Sequence, residues 1–130
     1  MTIPAREAIP NRQPLYPTPL IPLDLGAVRP MGWLANQLRL QAEGMTGHAE
    51  MVIPELGPDN AWRGGDGENW EKGPYYLRGL VSLAYLHDDA SLRGKVQTWV
   101  DAILASQQAD GLIGPPANLD WWPRMVVTWA

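Results

Sequence analysis

The chain lacks cysteine entirely. That excludes disulfide staples, thiolate zinc sites and a cysteine nucleophile within these 130 residues. It lacks phenylalanine as well. It has no excess of positive charge: 10 Lys and Arg stand against 14 Asp and Glu, for a net charge of -4. A general nucleic-acid role is therefore not expected, because phosphate binding needs a basic surface. No hydrophobic run approaches the length of a membrane span. The first 22 residues carry Arg6 and Arg12 but no apolar core of a signal peptide, so the sequence reads as cytoplasmic, with no membrane partner. The P-loop lysine is missing after Gly64-Gly65-Asp66-Gly67, and no strand precedes it as in a dinucleotide fold. His48-Ala49-Glu50 lacks the downstream cysteines of a zinc deaminase. No serine sits in an elbow motif, and no Asn-x-Ser/Thr acceptor occurs.

What is present suits a folded domain. Hydrophobic residues make up 45% and charged residues 18%. Seven Trp and four Tyr carry all the aromatic character. Both rings add a polar group to an apolar face, which suits positions that meet water or a ligand. Thirteen Gly and thirteen Pro predict long loops.

Proline dominates residues 1–30, which predicts a flexible tail over 1–19 and an extended arm over Pro19 to Val28, at most an edge strand. A first helix is expected from about Met31 to Glu43, with Trp33, Leu34, Leu38 and Leu40 as an apolar stripe and Gly44 as its stop. Residues 44–73 read as one long glycine-rich loop, and a loop of that length is usually functional. A second helix, about Pro74 to His87, is interrupted only by Arg78 and Ser82 and should be buried on nearly all sides. A third, about Ala90 to Gln108, carries one stripe of Leu92, Val96, Trp99, Val100, Ile103 and Leu104. Asp88 or Asp89 can cap its start, and Asp110-Gly111 stops it. An apolar fourth helix begins near Trp122-Pro123 and has no stop signal, as if cut in mid-helix.

Buried, surface and again buried helices in succession predict an all-α fold, specifically part of an (α/α)6 toroid over residues 20–130. Its inner helices would need the remainder of their own domain as partner. The isolated chain should then be poorly soluble or oligomeric, because bare apolar surface costs about 25 cal/mol per Å².

Two segments could carry chemistry. Asp59 to Tyr76 gathers Trp62, Asp66, Glu68, Trp70, Glu71 and Tyr76 at a glycine hinge that opens the second helix. Asn118 to Arg124, with Trp121, Trp122 and Arg124, opens the fourth helix in the same way. Sugars need this mixture: flat aromatic faces for C–H surfaces and carboxylates for hydroxyls. A toroid would bring both segments to one mouth. Structural roles are available to the same residues. Glu68 and Glu71 precede a helix N-terminus, where negative charge is stabilising. Tyr75 and Tyr76 can be core, and Arg124 can pair with Asp120. His48 reads as a loop histidine and His87 as a helix C-terminal one. Gln107 to Gly111 reads as an architectural turn.

The segments Leu23 to Leu34, Gly64 to Leu77, Trp99 to Gly111 and Asp120 to Met125 together resemble the N-terminal part of the β-L-arabinofuranosidase-like glycoside hydrolases (glycoside hydrolase family 127 and relatives). That resemblance implies an (α/α)6 catalytic domain. It also implies a cysteine nucleophile, a glutamate acid/base and a zinc, all beyond residue 130. It implies no cofactor and no catalytic residue in this chain. By position it places the Trp70-Glu71 and Trp121-Trp122 segments at a sugar pocket, with a carbohydrate substrate. Trp121 and Trp122 replace a histidine-rich character at the second segment, which departs from arabinofuranoside specificity. The other readings are a non-catalytic sugar-binding or helical scaffold module, and another toroid enzyme such as a polysaccharide lyase.

Overall fold

The computed structural model describes residues 11–17, 19–20 and 22–130. Most of the tail expected over 1–19 lies outside the described residues. Every regular element among the described residues is helical: α1 (Gly32–Glu43), α2 (Met45–Val52), α3 (Lys72–His87), α4 (Ala90–Ala105) and α5 (Trp121–Thr128). Two short 3-10 turns, Pro54–Leu56 and Ala61–Arg63, lie between α2 and α3. No described helix is long and apolar enough to cross a membrane.

α3 is the hub and touches the other four helices. Its Leu77, Leu80, Val81, Leu83 and Ala84 meet Leu92, Val96, Trp99 and Ile103 of α4 in one core, with Trp62 from the connecting segment. The spacing of the α4 residues is that of one helical face. Asp89 caps α4 by accepting from the Leu92 N–H at 2.8 Å. Asp88 sits at positive φ between α3 and α4, where it pairs with Arg93 and with Arg29 of the arm.

Several expectations need correction. The long loop over 44–73 contains α2. Glycine punctuation hid it, yet Gly47 serves close packing: a Cβ there would overlap the Ala42 carbonyl, so the junction of α1 and α2 needs glycine at that position. The apolar stripe of α1 is mostly in solvent; Trp33, Leu34 and Leu40 are exposed and only Leu38 packs against the core. α3 is not covered all round, because Tyr75, Arg78, Gly79 and Ser82 form an exposed strip. Leu104 of α4 is likewise exposed. The arm forms no strand among its described residues. It turns at Asp24–Ala27 and is held to the end of α3 by Arg29, which donates to the Tyr85 carbonyl. α5 ends at Thr128, with the Trp129 N–H donating to the Val126 carbonyl and the Ala130 N–H to the Val127 carbonyl.

Candidate functional site

The first four N–H groups of a helix need acceptors from outside it. At α3 the Glu68 carboxylate serves two of them, Lys72 and Gly73, and the Trp70 N–H just before the helix. Its Oε1 accepts from the N–H of Trp70 (2.9 Å) and of Lys72 (3.4 Å), and its Oε2 accepts from Gly73 N–H (3.3 Å) and from Asn60 Nδ2 (3.1 Å). Asn60 is itself enclosed. Its Oδ1 accepts from Trp62 N–H at 2.9 Å, and its Nδ2 also donates to the Glu55 carbonyl at 2.6 Å. The loop 59–68 is tied further by Ala61 N–H to Glu68 O and Gly67 N–H to Asp59 O. Gly65 and Gly67 are required, because a Cβ on either would collide with the Asp59 backbone. The start of α5 is built in parallel fashion. Asp120 caps it by accepting from Trp122 N–H at 2.9 Å, and Asn118 Oδ1 accepts from Asp120 N–H at 2.8 Å.

These two helix starts lie against each other. Asn118 Nδ2 donates to the Asn69 carbonyl at 2.5 Å. The Trp70 indole N–H donates to Asp120 Oδ2 at 2.8 Å, and the Trp122 indole N–H donates to Glu71 Oε2 at 2.6 Å. The exchange is reciprocal: each segment gives an indole to the other's carboxylate. Tyr75 stands next to Trp122, with ring centroids 6.5 Å apart. Trp70 and Trp122 nevertheless remain 47% and 41% exposed. The result is an open seam of oriented rings and carboxylates. The Asp120 carboxyl is held below its ordinary value, first by the Trp122 backbone N–H and then by the Trp70 indole.

The expected site residues divide sharply. Trp70, Glu71 and Trp122 converge on the seam, and Trp121 stands exposed at its α5 end. Asp66 is exposed on the glycine loop nearby. Glu68 is committed to capping α3. Trp62 is 1% exposed, its indole donates to the Trp70 carbonyl at 2.8 Å, and its ring presses on Gly114; it is core and presents no face to a ligand. Tyr76 is turned inward, edge-on to Trp99, with its hydroxyl donating to the Thr46 carbonyl at 3.1 Å. Burial, reinforced by the Glu50 charge, pushes its phenol up to about 12. Arg124 is 5% exposed and donates to the carbonyls of Asp120 (2.8 Å) and Pro115 (3.2 Å); it braces backbone rather than pairing with the Asp120 carboxylate. Sequence reasoning passed over Asn60, Asn118 and the capping role of Asp120. Their signal is an Asn or Asp placed two residues before the N–H it receives, the local turn chemistry of these residues.

No family model, no curated protein and no solved structure matches the chain. Among the described residues no three His, Asp or Glu side chains come together as a metal ion would need. Thiolate ligands cannot come from a chain without cysteine.

Proposed function

We propose that the seam between the starts of α3 and α5 binds carbohydrate, and that the chain forms part of the sugar pocket of a glycoside hydrolase built as an α/α toroid. The reciprocal indole–carboxylate pairing carries this reading. Rings held by their own N–H groups offer fixed apolar faces to sugar C–H surfaces, at little cost in side-chain entropy. On Glu71, Oε1 accepts no hydrogen bond among the described residues, so it is available to a hydroxyl; Asp120 uses both oxygens on Trp122 and Trp70. A carboxylate accepts through about four lone-pair sites in all. Glycoside cleavage needs a proton donor together with a nucleophile or base. Glu71 and Asp120 are read as hydroxyl acceptors, and the groups that cleave the bond belong to other parts of the enzyme. The four segments that resemble the β-L-arabinofuranosidase-like hydrolases support the same assignment, with an L-arabinofuranoside as one substrate.

The test is a thermophoresis screen of the chain against arabinose-, xylose- and glucose-based glycosides, repeated with Trp70→Ala and Trp122→Ala. Saturable binding that weakens about tenfold in each variant supports the proposal, a loss of about 1.4 kcal/mol per ring. Absence of binding to every sugar refutes it.

A further inference from the structure

The seam continues past its aromatic end. Beyond Asn69 the same two segments, 64–69 and 114–117, separate around a cavity of about 320 Å³. That volume is within the range of small-molecule sites. Its walls differ from those of the aromatic end. Asp66 and Asn69 contribute a carboxylate and a carboxamide, and neither side chain has a hydrogen-bond partner among the described residues. Pro115 and Pro116, rigid and apolar, also line it. Gly64 forms a bare stretch of wall at φ +91, where an added Cβ would meet only open space. Ser106 is fully employed: its Oγ donates to the Ile103 carbonyl and accepts from Gly114 N–H at 2.7 Å, which fixes the proline segment in place.

This cavity and the aromatic end are built from consecutive residues of the same two segments. Asn69 lines the cavity and Trp70 follows it; Ala117 lines the cavity, and Asn118 begins the bridge to Asp120. A ligand lying along the seam therefore meets rings at one end and an acceptor–donor pair at the other. A carboxylate and a carboxamide lining one cavity suit the hydroxyls of a sugar, since the carboxylate accepts from hydroxyls and the amide both donates and accepts.

We propose that the Asp66–Asn69 cavity is a second sugar compartment, so that the ligand of the seam is an oligosaccharide of at least two units. This rests on the carbohydrate reading above. The experiment is calorimetric titration of the full chain with a methyl L-arabinofuranoside and with the di- and trisaccharides of the same sugar, together with the xylose and glucose series. In the series that binds, affinity rises about tenfold from the monosaccharide to the di- or trisaccharide. That ratio falls toward one in both Asp66→Ala and Asn69→Ala, and Asp66→Asn retains part of it. Equal affinity at every length, or a ratio that survives both alanine substitutions, overturns the second compartment while the carbohydrate reading stands. Failure of every sugar to bind, at any length, overturns both.

Discussion

Two regions of this molecule use the same pair of groups for different ends. At the seam, the Trp70 and Trp122 indoles donate to Asp120 and Glu71. Away from the seam, the Trp99 indole donates to Glu50 Oε1 at 2.7 Å. There the Arg63 guanidinium stacks over the Trp99 ring, 5.3 Å from its centroid, and approaches Glu50 Oε1 at 3.7 Å. Trp99 is 0% exposed and lies in the core, whereas the seam rings are nearly half open. The hydrogen bond is alike in all three places, and burial sets its consequence. An enclosed indole cannot be removed from its carboxylate without leaving a cavity and taking a hydrogen bond from a largely buried charge. An open pair can lose its ring with water taking its place.

The contrast is most easily broken at Trp99. Trp99→Ala should destabilise the fold by about 3–5 kcal/mol in urea titration; a loss below about 1 kcal/mol would mean that the enclosed clasp is no scaffold. Next in size is Asn60→Ala, which removes the acceptor for Trp62 N–H and a donor to the Glu55 carbonyl and Glu68. About 1–3 kcal/mol is expected by the same measurement, since enclosed partners are left unsatisfied. Trp122→Ala sharpens the comparison from the other side: stability should move by less than about 1 kcal/mol while sugar affinity falls.

Two pH effects complete the series. The Tyr76 phenol is raised from 10.0 to about 12 in the folded state. A raised value means that its contribution is whole below the unfolded value and is lost as pH rises toward the folded one. Tyrosinate absorbance should therefore show one tyrosine titrating late, and its appearance should coincide with unfolding. Asp120 has the opposite sign. Its folded value lies below the ordinary 3.8, so its contribution is present above that pH and fades as pH falls through the lowered value. The gap in Tm between wild type and Asp120→Asn should be level at neutral pH and close in strong acid.

The parts of this fold legible in sequence were those governed by helical periodicity. The stripe Leu92, Val96, Trp99, Ile103 marked the buried face of α4, and Asp89 its cap. α2 was not legible, because Gly44 and Gly47 look like loop punctuation until the Ala42 carbonyl that crowds Gly47 is seen. The meeting of the 59–76 and 118–124 segments followed from their similar placement before apolar helices. The side chains that would face outward did not follow. Trp62 and Trp70 are eight residues apart in the same glycine-rich stretch, yet one is core and the other half open. Which is which depends on Gly114, distant in sequence, against whose backbone the Trp62 ring packs.

The most direct measurement is the ¹⁹F spectrum of the chain labelled with 5-fluorotryptophan, whose seven indoles give separate signals that single substitutions assign. On addition of a saturating oligosaccharide from the binding series, the Trp70 and Trp122 signals should shift while those of Trp62 and Trp99 stay fixed. Movement of the enclosed pair with the seam pair silent would contradict the account.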